Sequence, residues 1–184
     1  KRQDLNNIML KGRDLTDANL DGVDLDGRDL TGTILKGADL SDKDLTGTIL
    51  KGADLTDVIL PDISLSDKNF QKTIFNGHDL SGKNLSKSSL WDANFKNTNL
   101  ENVNLKLADL RAVDLTKIKN KSLAGADLSG ASFAYSNLSD VNMSNVILDA
   151  TNFWKADLTG QGLTVIYDVN TLIYHFNNLI QKIF

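Results

Sequence analysis

From Leu5 to Leu115 every fifth residue is leucine or phenylalanine, 23 positions without an exception. After a slip of three residues the series resumes at Leu123. It runs through Leu128, Phe133, Leu138, Met143, Leu148, Phe153 and Leu158 to Leu163, so that 32 units cover residues 3–165. A period of five fits neither the 3.6 residues of an α-helical turn nor the two-residue alternation of a long strand. It fits a chain that runs extended for two or three residues, turns, and repeats, sending one large apolar side chain the same way each time. Such a chain must coil and stack on itself through backbone hydrogen bonds, burying its own apolar column as a solenoid.

With the apolar centre of each unit called i, position i−1 is mostly Asp or Asn, as in Asp14, Asn19, Asp24, Asp39, Asn84 and Asp109. Position i−2 is often small or β-branched, as in Ala18, Val23, Ala38, Ala53, Ala93 and Val103, and 12 of the 13 glycines fall at i+2. Glycine at i+2 suits a corner because it takes φ > 0 without a Cβ clash. Asp and Asn suit the same corner because their side chains cap nearby backbone amides.

The runs KGADLSDKDL, KGADLTDVIL, AGADLSGASF and WDANFKNTNL resemble the pentapeptide-repeat family, whose unit is roughly A(D/N)LXX, and the resemblance covers nearly all of the chain before Leu163. It implies an all-β solenoid: a right-handed quadrilateral β-helix with four units per coil, about eight coils here, i and i−2 inward and the rest outward. Residues 29–40 recur unchanged at 44–55, an offset of three units that a three-sided coil would also give. Phe75 and Phe95, and Phe133 and Phe153, lie four units apart and would stack only on a four-sided coil, which is the form expected. Eight coils at roughly 4.8 Å make a rod of about 38 Å.

The expected organisation is a repeat domain over 1–165, a short bulge at 116–122 where three extra residues enter with Lys117, Lys119 and Lys121, and a C-terminal segment over 166–184. In that segment Leu172, Ile173, Phe176, Leu179, Ile180 and Ile183 recur at helical spacing, predicting an amphipathic helix over about 171–184 capped by Asn170 or Thr171. A solenoid needs its last coil sealed, because open backbone edges invite end-to-end association. Leu172, Phe176, Leu179 and Ile183 also form a seam able to pair two chains. The resemblance implies the second use, since gyrase-targeting members dimerise through their C-terminal ends. Monomer and homodimer stay open.

The chain has no cysteine, a single proline, a formal charge of −4 and a sequence pI near 5.1. Thiol chemistry and thiolate metal sites are excluded, and no apolar run reaches the roughly 20 residues of a transmembrane helix. The start KRQDLNN lacks an apolar signal core, and its first residue is expected to be a processing boundary. The two histidines, His78 and His175, come with no metal cluster, phosphate loop or nucleophile elbow, so neither catalysis, nor a cofactor, nor a metal is expected.

Function is therefore expected on the surface. Counted on four faces, the one centred on Leu20, Leu40, Leu60, Leu80 and Leu100 carries Asp21, Asp39, Asp42, Asp62, Asp79 and Glu101 with no Lys or Arg at its outward positions. The face centred on Leu10, Leu30, Leu50, Phe70, Leu90, Leu110, Phe133 and Phe153 sets Lys11, Lys51, Lys72, Arg111 and Lys155 against Asp29, Asp92 and Asp109, and bears Trp91, Tyr135 and Trp154. Exposed aromatics and Arg are enriched at protein interfaces, and a net negative chain repels nucleic acid. The lysines and arginines at i−2, namely Arg13, Arg28, Lys43, Lys68 and Lys83, should run their stems along the corner and hold their heads in water.

The expected function is that of a non-enzymatic scaffold that binds an unidentified protein partner, such as the repeat domain of a secreted bacterial effector. The alternative implied by the resemblance is a partial DNA mimic that binds DNA gyrase. Location stays open between a bacterial cytoplasm and secretion into a host cell.

Overall fold

The structure is a computed structural model that describes Leu5 and residues 8–160. Backbone pairing fixes the coil at four units. Parallel bridges join Asp14 to Ile34, Ile34 to Asp54, Asp54 to Ile74 and Ile74 to Asn94, each step pairing a residue with its equivalent four units on. Phe75 stacks on Phe95 at 5.4 Å between ring centroids and 4° between planes, and Phe133 on Phe153 at 5.5 Å and 18°. The echo of residues 29–40 is thus a duplication of equivalent units, not a three-sided coil. Among the described residues no face builds a long strand. Each contributes single bridged residues between turns.

The local rules of the sequence explain the coil. The centre's carbonyl accepts the N–H three residues on, as from Arg13 to Leu10 at 3.0 Å, and the residue at i+2 between them has positive φ, as in a type II turn. All 12 repeat glycines take that conformation, but so do Asp17, Asn97, Leu107 and Tyr135, so glycine eases the corner without being required at each one. Between coils the centre's N–H donates to the carbonyl of the i−1 residue one coil further on, for example Leu15 to Ile34 at 2.7 Å. Leucine and phenylalanine centres from Leu10 to Phe153 are buried almost without exception, and the small i−2 residues pack beside them.

Hydroxyls at i−2 have a use the sequence reading missed. Thr33, Thr48, Thr73, Ser88, Thr98 and Thr151 each donate to the centre carbonyl 23 residues earlier, at 2.7–3.0 Å. Except at Leu65, where the turn N–H of Lys68 goes to Ser88 Oγ instead, that oxygen accepts only the turn N–H from the backbone, so its second lone pair would otherwise be buried unused. His78 follows the same rule, its ring Nε2 bonding the Leu55 carbonyl oxygen.

The expectation that i−2 cations reach water is corrected for Arg28, Lys43 and Lys68, whereas Lys83 reaches the fully exposed Asp62. Arg28 donates to the carbonyls of Leu5 and Ile8, and Lys68 donates to that of Leu45. Lys43 is only 7% exposed and pairs with Asp42 at 3.0 Å. Only Arg13 is exposed, and it too bonds a carbonyl, that of Met9. Carbonyls left over at the corner are closer than solvent and offset the desolvation of the charge.

The extra three residues form a 3-10 turn, Lys119–Lys121, projecting from one corner, with Asn120 and Lys121 left-handed. Bridges crossing it, Asn104 to Asp127 and Asp109 to Ser132, are longer in sequence by those three, and the ordinary four-unit spacing returns at Ser122 to Asn142. Ile118 keeps its inward place before the turn. The predicted C-terminal helix, with Leu172, Phe176, Leu179 and Ile183, lies outside the described residues.

Candidate partner-binding surfaces

Outward carboxylates at i−1 are turn formers first. In each such unit the Asp Oδ1 accepts the N–H of i+1, from Thr16 to Asp14 at 3.0 Å, from Ser41 to Asp39 at 2.9 Å and from Ser81 to Asp79 at 3.0 Å. The hydroxyl of i+1 and then this N–H hold the Asp14, Asp29, Asp39 and Asp79 carboxyls below the ordinary value, because both donate to the charged form.

On the Leu20 face the six acids fall into three kinds. Asp39 and Asp79 are turn formers, and Asp79 also accepts from Asn99 at 3.0 Å. Asp21 and Glu101 stand at i+1, their own N–H groups donating to Asn19 and Asn99. Asp42 and Asp62 stand at i+2, at the corner shared with the next face, and there Lys43 and Lys83 reach them. The outward positions of this face hold no Lys or Arg, but the i−2 lysines of the next face bring their Nζ atoms to its corner acids. Lys83 also holds the Asp62 carboxyl low, through its hydrogen bond and then its charge.

The middle of the same face departs from the repeat at the sole proline. Pro61 turns in and is buried, while Ile63, at an inward position elsewhere, is 42% exposed and Ile59 is 55% exposed. Lys43, Ile63 and Lys83 succeed one another in one i−2 column. On the adjacent i−1 column parallel bridges join Asn84 to Asn104 and Asn104 to Asp127. Backbone hydrogen bonds also tie the coils below, from the Gly27 N–H to the Thr46 carbonyl at 2.8 Å and from the Leu65 N–H to that of Asn84 at 2.9 Å.

The Leu10 face carries the outward aromatics. Tyr135 and Trp154 meet edge to face at 4.8 Å between centroids, with Lys155 Nζ 4.5 Å from the Trp154 ring and 5.5 Å from that of Tyr135. Trp91 lies lower on the face with Lys72 Nζ 5.0 Å over it. Between them Arg111 makes a two-pronged contact with Asp109, both bonds 2.8 Å. Its guanidinium holds that carboxyl low. Tyr135 and Trp154 are 55% and 41% exposed, so the aromatics are brought together on the surface.

Charge is also segregated along the axis, which the face-by-face count concealed. Residues 8–67 hold 13 Asp against six Lys and Arg, net −7; residues 68–121 hold ten Lys and Arg against five acids, net +5; residues 122–160 are net −3. In the bulge, Lys117 pairs with Asp114 at 3.3 Å, and Lys119 lowers the Asp79 carboxyl together with the larger effect of Ser81. Among the described residues no group of His, Asp and Glu could hold a metal ion, and no helix is long and apolar enough to cross a membrane.

Comparison with solved structures finds QnrB1, a plasmid-mediated fluoroquinolone resistance protein, at 21% identity over 92% of this chain and 89% of that one, with a TM-score of 0.48. HetL, involved in heterocyst differentiation regulation in the cyanobacterium Nostoc, is 24% identical over 86% and 90% of the two chains with a TM-score of 0.32. A thylakoid-lumen protein of Arabidopsis thaliana is 22% identical over 82% and 72%, with a TM-score of 0.23. All three are pentapeptide-repeat structures, and at these scores none bears on what this chain binds. No curated protein matches. The pentapeptide-repeat family model matches in eight copies, over residues 14–52, 29–62, 48–86, 79–116 and 122–160, and with the four-unit coil and its stacked centres it establishes that the chain belongs to the pentapeptide-repeat family.

Proposed function

We propose that the chain is a non-enzymatic protein-binding rod. One observation carries this reading: outward side chains of different chemistry are sorted onto different faces of a rigid stack, with acids on the Leu20 face and aromatics with cations on the Leu10 face. A rod whose inward positions are filled by packing has only its surface to offer, and exposed aromatics beside Arg and Lys are the composition of protein interfaces. The test is capture from bacterial lysate on immobilised protein. It is run beside an Asp39→Asn/Asp79→Asn/Glu101→Gln variant and a Trp91→Ala/Trp154→Ala variant. One variant should lose a partner that the parent holds, and equal capture by all three would refute the assignment to these faces.

A second reading, a partial DNA mimic acting on DNA gyrase, gains support from the axial count. Three coils rise about 14 Å, over which duplex DNA carries about eight charges, and residues 8–67 present a net −7. A gyrase supercoiling assay with the purified chain tests it. Inhibition that weakens with added salt supports mimicry, and unchanged supercoiling removes this reading while leaving the first intact.

A further inference from the structure

The Leu10 face is a register-matched platform, and it specifies the shape as well as the charge of what it would bind. Trp91 belongs to the coil of Leu90, and Tyr135 to that of Phe133, two rungs higher, because Leu90, Leu110 and Phe133 are consecutive centres of one face. Two rungs span about 9.6 Å. A polyproline II segment repeats its facing side chain every three residues, about 9.3 Å. A β-strand repeats at about 6.8 Å and a helix returns to one face after about 10.5 Å, so neither matches as well.

Tyr135 and Trp154, in edge-to-face contact with rings at 81°, offer two perpendicular apolar walls; Trp91 lies two rungs, one polyproline turn, below Tyr135 and three rungs, about 14 Å, below Trp154. Cations surround these walls. Lys72 lies over Trp91 and Lys155 over Trp154 and Tyr135, while Arg111, midway, is neutralised by Asp109, so Lys72 and Lys155 together exceed the remaining acid, Asp92. Tyr135 stands at the i+2 corner with φ 63°, the conformation common to this position, and its ring meets Trp154 and Lys155 on the surface.

We propose that this strip docks a proline-rich protein segment in the polyproline II conformation, with prolines three residues apart on Trp91 and on Tyr135, the Trp154 ring forming the adjoining wall, and acidic residues between them drawn to Lys72 and Lys155. The proposal rests on the reading of the rod as a protein-binding module and names the partner's chemistry. The preformed extended helix loses little entropy on docking, and its prolines cover aromatic faces.

Both tryptophans of the chain lie in the strip, so intrinsic fluorescence reports on it directly. The probe is the peptide acetyl-PEDPEDPEDP-amide, with acetyl-AEDAEDAEDA-amide and acetyl-PKKPKKPKKP-amide as controls and a deoxythymidine decamer as a competitor of another class. The acidic proline peptide should shift the emission and bind at least about tenfold more tightly than either control. Trp91→Ala and Trp154→Ala should each weaken it about tenfold with an unchanged melting temperature. Lys72→Glu/Lys155→Glu, which leaves the aromatics in place, should transfer preference to the lysine peptide. Equal binding of the alanine peptide, tighter binding of the oligonucleotide, or affinity unmoved by both tryptophan variants overturns the proposal. Should the peptide fail while the Trp91→Ala/Trp154→Ala variant still loses a lysate partner, the inference falls and the protein-binding function stands.

Discussion

The phenylalanine ladder gives the sharpest test of the four-sided coil. Phe75 is fully buried, stacked on Phe95 at 5.4 Å and edge-on to Phe70 at 5.1 Å. Buried aromatic pairs contribute about 0.5–1.5 kcal/mol beyond their burial. Phe75→Leu keeps most of the apolar volume and forfeits two such pairs, so it should cost about 1–3 kcal/mol, whereas Phe75→Ala leaves a cavity and should cost about 3–5 kcal/mol. The informative quantity is the coupling between Phe75→Leu and Phe95→Leu, read from urea unfolding followed by circular dichroism. Their contact predicts about 0.5–1.5 kcal/mol, against the few tenths expected of sites that do not touch. In a three-sided coil Phe75 would instead stand against Leu60 and Leu90. The matching cycle between Phe75→Leu and Leu90→Ala should therefore show the smaller coupling. Additivity at Phe75 and Phe95, with strong coupling at Phe75 and Leu90, would refute the four-unit register.

Two further outcomes are expected. The turn carboxylates of Asp14, Asp29, Asp39 and Asp79 titrate below the ordinary value of 3.8 in the fold, so the unfolded chain binds more protons as pH falls. Their stabilisation is present above that value and lost as pH drops through the folded values: melting temperature should be level above about pH 5 and fall below about pH 4, less steeply in Asp39→Asn/Asp79→Asn, and a profile identical in the two proteins would contradict the assignment. Thr48→Val, which removes the 2.8 Å bond to the Leu25 carbonyl while keeping shape, should cost about 1–2 kcal/mol in the same urea unfolding, and a neutral result would show that the hydroxyl is not needed there.

How much could be read from the chain follows from where its constraints act. The apolar column, the inward i−2 sites and the turn-forming carboxylates repeat so often that local chemistry and stacking have one joint solution, and Leu5 to Leu115 states it 23 times. The stacking of Phe75 on Phe95 was legible for the same reason. What escaped the reading were exceptions set by neighbours one coil away. Thr33 looks merely small and β-branched until the Leu10 carbonyl 23 residues earlier is placed against it. Lys43 and Lys83 look like solvated charges until the corner acids Asp42 and Asp62 lie within reach. At Ile63 nothing local signals outward rotation, since isoleucine is apolar enough for the interior, and Pro61 beside it would pass as an ordinary turn residue. The aromatic strip was legible as a set, but not the perpendicular pairing of Tyr135 with Trp154, which depends on successive coils aligning i+2 of one with i+1 of the next.

The bulge at Lys119–Lys121 has a further consequence for how such a chain can change length. Three residues leave the stack at one corner and the pairing resumes in phase, so material added there is silent for every face beyond it. Insertion or loss of a single repeat unit would behave differently: the ladder would close just as well, but everything downstream would turn a quarter-revolution, bringing the Trp154 side chain onto a neighbouring face while Trp91 stayed where it was. Only the gain or loss of whole coils alters the spacing between two surface features without altering their bearing. The repeat thus works as a clock as well as a ruler, and a duplication of three units such as the one joining 29–40 to 44–55 is a three-quarter turn of all that follows.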